Sequence, residues 1–318
     1  MSTRREFLQQ SLAITGGLGL AGCAGMSSMG TMEASSSMDM GTSSSGIFPI
    51  SLAQWSLVRR LRAGELDNLD FARVSKNTFG IDAIEYVNQF FSDKAEDMDY
   101  LREMKTRADG EGVYQHLIMI DNEGDLGNAD PAARRQAVEN HYKWIDAAAF
   151  LGCVTIRVNA RGTGTYEEQM QQAIEGLRGV TEYGAQAGIN VIVENHGGLS
   201  SNAKWLIAVM EGVDHPRCGT LPDFGNFNIG AGEQYDRYLG TEEMRPYAKG
   251  VSAKAYRFDE NGEEVDMDYH RLMRIVLDAG YRSYVGVEFE GPGEPEVGIM
   301  ATKALLERVR EELTPEYT

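Results

Sequence analysis

Eight apolar runs, their starts spaced about 30 to 40 residues apart, alternate with helical patterns along this chain and leave few folds open to it. They fall near Ile50–Leu57, Asp82–Asn88, Val113–Asp121, Cys153–Asn159, Asn190–Asn195, Cys218–Asp223, Gly250–Tyr256 and Tyr284–Glu290. That interval is the length of a βα unit, in which a helix returns the chain to lay down a parallel neighbouring strand. Between the runs, Pro131–Leu151 predicts a helix with Asp130 as its cap, Pro131 at its first position and Gly152 at its end. Helical patterns over Glu167–Ala187 and Asp268–Ala279 stop at Gly188 and Gly280. Eight units predict a single-domain α/β fold closed into a (β/α)8 barrel, and the span of residues 47–318 matches the usual size of one. The competitor is an open doubly wound sheet, but no Gly-x-Gly-x-x-Gly fingerprint follows the first run.

The first residues read as an address. Thr3-Arg4-Arg5-Glu6-Phe7-Leu8 is a twin-arginine signature, an apolar stretch continues through Leu20, and Leu20-Ala21-Gly22-Cys23 has the form of a lipoprotein cleavage box. The stretch is too short and too glycine-rich for a bilayer span, which needs about 20 apolar residues. The expectation is a signal peptide over 1–23, a flexible Ser/Gly/Met tether over 24–46 and the barrel over 47–318, giving a periplasmic protein anchored through lipidated Cys23. Without histidines among them, the tether's methionines do not make a metal tract. Net charge is −18 and the leader's Arg4, Arg5 and Glu6 sum to +1, so the remainder is more acidic still. With no basic stripe to follow phosphates, the sequence argues against a nucleic-acid partner. Cys153 and Cys218 open runs that are not neighbours, which predicts two buried free thiols.

Three acids stand where apolar runs end. Glu194 follows Ile189-Asn190-Val191-Ile192-Val193, Asp223 follows Cys218-Gly219-Thr220-Leu221-Pro222, and Glu288 follows Tyr284-Val285-Gly286-Val287. A carboxylate beside a buried apolar run is unfavourable unless a cation or several hydrogen bonds satisfy it. Three of them at the C-terminal ends of barrel strands describe a site for one hard divalent cation, better suited to Mg, Mn or Co than to Zn. The alternative is a hydrogen-bonded acid cluster with Lys254 as counter-ion. Lys254 lies two residues beyond Ser252, so both project from one side of their strand.

Val-Glu-Asn-His-Gly-Gly after one strand, Leu-Pro-Asp-Phe-Gly-Asn-Phe after the next and Gly-Val-Glu-Phe-Glu-Gly after the last resemble the xylose isomerase-like TIM barrels, over about Ile47 to Leu313. That family includes sugar-phosphate isomerases and epimerases, ketose 3-epimerases, inosose dehydratases and endonuclease IV. The resemblance implies metal ligands at Glu194, Asp223 and Glu288 and a fourth, usually His, on the seventh strand, where this chain has Ser252. It also implies that Glu194 and Glu288 flank the substrate and move a proton next to a carbonyl through a metal-stabilised enediolate, with Lys254 beside them. Asn226 stands where relatives often have a substrate-facing His; an Asx cap is the other reading. The function implied is a sugar or keto-sugar isomerase or epimerase. Its alternatives are a lyase on 3-keto-glycosides and a non-catalytic sugar-binding lipoprotein. An endonuclease IV-like reading needs more histidines and tolerates this acidity poorly.

Further candidates for a sugar pocket are His196, Glu85, Trp55, His116 and Arg157, with Tyr86, Asn88 and Asn159 near them. His116 and Trp55 have a core reading as their default, and His141, His215 and His270 are expected on the surface or on helix faces. The leader yields a direct test. Replacing Arg4 and Arg5 by Lys should stop export, and Cys23→Ala should move the protein from the membrane to the soluble fraction. Unchanged membrane attachment of Cys23→Ala would rule out lipidation there as the anchor.

Overall fold

The computed structural model describes residues 46–318. The twin-arginine signature, Cys23 and nearly all of the tether lie outside the described residues. Eight parallel strands follow one another: β1 (Ile50–Ala53), β2 (Ala83–Val87), β3 (Tyr114–Met119), β4 (Thr155–Val158), β5 (Asn190–Glu194), β6 (Cys218–Leu221), β7 (Val251–Ala255) and β8 (Val285–Phe289). Each is followed by a helix: α1 (Phe71–Phe79), α2 (Met98–Glu111), α3 (Pro131–Leu151), α4 (Tyr166–Gln186), α5 (Ala203–Val213), α6 (Arg237–Met244), α7 (Tyr269–Asp278) and α8 (Pro295–Tyr317). The ladder runs β6-β5-β4-β3-β2-β1-β8-β7. It closes between β6 and β7 through parallel bridges pairing Thr220 with Ala248 and Asp223 with Ser252. The last bridge places one of the acids directly in the seam.

Local signals explain the elements. Asp130 caps α3 by accepting from the Ala132 amide, and Gly152, at φ +89°, ends it in the left-handed region where a side chain would be strained. Thr165 and Glu168 form a reciprocal capping box at the start of α4, so that helix begins at Tyr166 rather than Glu167. Asp268 caps α7 from outside the helix instead of belonging to it. The first strand is the main departure from the expected bounds. It stops at Ala53 because Gln54 turns inward, where its side chain accepts from the Val87 amide (2.9 Å) and donates to Asn68 (2.7 Å). Trp55 therefore sits on a 3-10 turn at the barrel mouth, not on the strand.

Strand alternation sorts the residues into two cores. One set, including Ile84, Ile118, Ile156, Val191, Val193, Ala253 and Val287, packs against the helices with Trp144, Trp205 and Leu305. The smaller inner set is Ala53, Val87, Leu117, Met119, Ile192 and Leu221, with Trp55 and Phe90 over it. Above this apolar plug the inward positions turn polar, and that is where the acids lie. Cys153 and Cys218 are buried and free, as the sequence predicts.

Candidate active site

Glu194 is the last residue of β5, Asp223 lies two residues beyond β6, and Glu288 is the fourth residue of β8. All three are almost completely buried, and one oxygen of each lies within 4.8 Å of the others. On β7 the alternation that sends Val251, Ala253 and Ala255 toward the helices sends Ser252 and Lys254 into the barrel. Strand pairing sets Lys254 beside Glu288 and Ser252 beside Gly286. Gly286 cannot carry a side chain, since a Cβ there would stand 2.8 Å from the Glu85 carboxylate.

Each carboxylate is held from two sides. Asp223 Oδ1 accepts from the Gly225 and Asn226 amides (2.8 and 2.9 Å), which leaves Oδ2 facing the cluster. Glu194 Oε1 accepts from the Asn226 side chain (2.8 Å), and its Oε2 lies 2.9 Å from Arg157 Nε in an ion pair. The Asx turn is therefore made by Asp223, with Asn226 donating its amide to it, and the Asn226 side chain is a partner of Glu194 instead of a cap. Lys254 Nζ lies 3.1 Å from Glu288 Oε1 and 3.5 Å from Asp223 Oδ2, and it also pairs with Glu290. The Ser252 hydroxyl is 2.7 Å from Asp223 Oδ2 and 2.8 Å from Glu288 Oε2.

These environments split the acids. Burial pushes Asp223 up to about 7, against the pull of Lys254 and with repulsion from Glu194 and Glu288. Burial also raises Glu194, against Arg157. Glu288 goes the other way: burial opposes its charge, but Lys254 and the Ser252 hydroxyl outweigh it and hold it low. Lys254 stays charged, because Asp223, Glu288 and Glu290 overcome the cost of burying it. Beneath the cluster, burial lifts Glu85 to about 8; Ser51 donates to one of its oxygens (2.6 Å) and the other has no partner.

The donor set fits a hard divalent cation. Its oxygens come from Glu194, Asp223 and Glu288, with the Ser252 hydroxyl beside two of them. A hydroxyl has one proton to give, yet Ser252 is in hydrogen-bond reach of two carboxylates. The second contact is satisfied only by a protonated carboxyl or by a cation holding the oxygens.

The other candidates separate. Arg157 bridges Glu194 and Asp121, donating to Asp121 at 2.9 Å, and Asn159 donates to the same Asp121 oxygen at 2.7 Å. His196 reaches Asn159 Oδ1 at 2.8 Å through Nδ1. Burial, with Arg157 nearby, lowers its imidazole to about 4, so it is neutral. Trp55, Asp121, Arg157, His196, Glu288 and Glu290 line a central cleft of about 130 Å³. The structure does not bring His116 to this mouth. It is the extra residue of a bulge against β2, packed between Tyr114 and Tyr284 at the opposite end of the barrel, with both ring nitrogens buried and unpaired. His141 stands on a helix face, α3, and that face is buried, not exposed. His270 is on the surface, paired with Glu312.

Three site residues went unread in the sequence. Asp121 follows Ile118-Met119-Ile120, the same acid-after-apolar-run signal that marks the triad. Glu290 shares the inward side of the last strand with Glu288. Asn195 carries no such signal. Its side chain fastens the loop after β6, donating to the Asp223 and Asn226 carbonyls (2.9 Å each) and accepting from the Asp223 amide (2.7 Å).

A family model described as xylose isomerase-like TIM barrel matches residues 72–309. Two relatives match short stretches. The 3'-dehydrocarminate deglycosidase alpha subunit of Microbacterium sp is 42% identical over 48 residues, 15% of this chain and 14% of that protein. The C-glycoside deglycosidase alpha subunit of Arthrobacter globiformis is 39% identical over 56 residues, 18% and 16% of the two chains. This chain thus spans less than a sixth of either relative's length. Among solved structures, 3-keto-D-glucoside 4-epimerase of E. coli is similar at a TM-score of 0.63 and 16% identity, covering 76% of this chain and 94% of its own. A xylose isomerase-like TIM barrel protein of Mycobacterium smegmatis in complex with magnesium gives 0.62 and 18%, covering 84% and 98%. These two likenesses show a shared barrel.

The raised acids make stability depend on pH. Folded Asp223 and Glu85 titrate near 7 and 8, whereas unfolded carboxyls titrate near about 4. Once the pH is high enough for the buried imidazoles of His116, His141 and His196 to be neutral in both states, the folded chain holds more protons than the unfolded one, so the stability of metal-free protein should fall as pH rises from about 7 to 8. A divalent cation should flatten the Asp223 part of that decline. Urea unfolding across this range, with chelator and with Mn²⁺, measures both; stability that rises with pH in chelator would contradict the assignment.

Proposed function

The chain belongs to the xylose isomerase-like TIM barrel family, and from that premise we propose that it is a divalent-metal-dependent isomerase or epimerase acting on a sugar or keto-sugar. The observation that carries this reading is the convergence of three buried carboxylates, one lysine and one serine at the C-terminal mouth of the barrel. A divalent cation held by Glu194, Asp223 and Glu288 would supply positive charge to the oxygens of an α-hydroxy carbonyl and so acidify the neighbouring carbon.

The protein's own groups divide the proton work. Glu194 and Glu288 stand on strands separated by two others, so they face the cleft from different sides. Glu288, held low by Lys254 and Ser252, is ready to accept a proton. Glu194, raised by burial, is ready to carry and return one. Two titratable groups pushed apart by their surroundings are the usual basis of an acid and base pair. Lys254 remains protonated beside Glu288, where its ammonium can hold or protonate a substrate oxygen as charge develops there. Arg157 and Asn226 fix Glu194 from either oxygen, and the burial of the whole cluster keeps bulk water from competing.

The same proton removal serves a lyase when a substituent β to the carbonyl can leave. The deglycosidase relatives and the 3-keto-D-glucoside 4-epimerase neighbour favour keeping that second reading, on 3-keto-glycosides. The export and Cys23 anchor proposed from the leader also favour a free or glycosidically linked sugar over a sugar phosphate.

Incubating the metal-loaded protein in D2O with keto- and aldo-sugars, 3-keto-glycosides included, tests the proposal. Deuterium should enter at a carbon next to the carbonyl. Sugar binding with no exchange on any member of that panel would leave a sugar-binding lipoprotein instead. Lys254→Met should keep the metal and slow exchange by about 10²- to 10⁴-fold, the usual worth of a positioned proton donor. Exchange within a few-fold of wild type would make Lys254 a counter-ion only.

A further inference from the structure

The central cleft does not end at the acid cluster. Two larger cavities adjoin it, and Arg161 lines all three. One, of about 370 Å³, lies between the loop after β3 and the loop after β4. It shares Asn122 as well as Arg161 with the central cleft. The central cleft, about 130 Å³, equals roughly four waters at about 30 Å³ each, so it takes no more than one sugar ring. The side cavity, reached past Asn122 and Arg161, has room for a second unit attached to that ring.

The side cavity is built by close backbone contacts. Gly127 and Gly162 pair as a bridge between the two loops, and the Gly127 amide donates to the Arg161 carbonyl at 2.7 Å. A Cβ at Gly162 would stand 2.2 Å from the Gly127 oxygen, so only glycine lets the loops meet there. Asn122, at φ +63°, turns the chain between the two cavities in the left-handed region that Asn tolerates.

The walls have hydrogen-bonding capacity to spare. His141 projects from α3 and is 2% exposed; its Nδ1 pairs with the Ala137 carbonyl at 2.7 Å, and its Nε2 has no partner. Burial keeps the imidazole neutral, so with Nδ1 as donor Nε2 is an acceptor. Among the described residues, the side chains of Asn122 and Asp125 have no hydrogen-bond partner, the Asn128 amide nitrogen has none, and Arg161 donates toward His196 at 3.3 Å. Both donors and acceptors thus line this space, as hydroxyls require, since each gives and accepts. A phosphate would meet the Asp125 and Glu123 carboxylates, and an aromatic group would find no Trp, Tyr or Phe to stack on.

Resting on the sugar reading above, we propose that this side cavity is a second sugar subsite. The substrate is then a glycoside whose reacting ring sits over Glu288 and whose second unit, itself a polyol or sugar, lies against His141 and Asp125. Arg161 stands at the junction and spans the linkage.

Binding separates this from a site for free monosaccharides. Maltose, cellobiose and sucrose, with glucose and fructose, are titrated into the Mn²⁺-supplied protein and followed by NMR. At least one disaccharide should bind tenfold or more tighter than its component sugars. Asp125→Ala, in an exposed loop where folding is not at risk, and His141→Gln should each cut that advantage to under threefold and leave monosaccharide binding unchanged. Monosaccharide binding with no disaccharide advantage, or an advantage that survives both variants, overturns the second subsite and leaves the sugar reading standing. Failure to bind of this panel and of the 3-keto-glycosides named above overturns the sugar reading itself, and the subsite with it.

Discussion

Too little positive charge at the barrel mouth is the constraint on which the rest of the site depends. Glu194, Asp223, Glu288, Glu290 and Asp121 converge there, and among the described residues the side-chain cations paired with them are Lys254 and Arg157. Buried acids without enough counter-charge take up protons or recruit a cation. The first response shows in the direction of the shifts. Asp223 and Glu194 are pushed toward protonation, whereas Glu288, closest to Lys254, is not. A divalent ion at the triad would remove most of the imbalance in one step. The tight hydrogen bonding on Asn195, Asn226 and the loop after β6 then makes sense as a scaffold that holds like charges together.

Much of this was legible from residue patterns alone. The eight-strand rhythm survives because a strand buried on both faces has to be an apolar run of limited length, and most helices between strands begin at a side-chain cap. Glu194, Asp223 and Glu288 were readable because an acid is costly next to such a run, and the shared face of Ser252 and Lys254 follows from strand alternation. Asp121 gave the same signal and was passed over, since nothing in the motifs pointed to it. His116 takes its core reading instead of its pocket one: it lies early in β3, at the bulge against Ile84/Glu85, where the ring packs on Tyr114 and Tyr284 away from the mouth. Trp55 kept its place near the mouth although its strand ended early, because the following turn carries it there. His141 could not be read as buried from its helix alone. What covers it is a loop bridged to another loop through two glycines, a contact between segments some 35 residues apart in sequence.

The division of labour matches what barrels allow. The strands fix the acids, Lys254 and Arg157 to within the tolerance of a packed core, while the loops after β3, β4 and β5 shape the approach. Chemistry and specificity are therefore separable in this chain. The first depends on charges that cannot move without unfolding the seam between β6 and β7, where Asp223 bridges to Ser252. In the proposed subsite the second would depend on Arg161 and Asp125, which stand on exposed loops, and on Asn122, whose left-handed backbone limits what can replace it.

The account stands or falls on whether the triad holds a cation. Calorimetric titration of chelator-treated protein with Mn²⁺ and Mg²⁺, on wild type and on Asp223→Ala, addresses that without needing a substrate. The account predicts one binding event per chain in wild type and none in Asp223→Ala, where two facing glutamates lose the residue that completes their site. Wild type that binds no divalent ion, or Asp223→Ala that binds as well as wild type, would contradict it and leave Lys254 and protonated carboxyls as the whole of the charge balance.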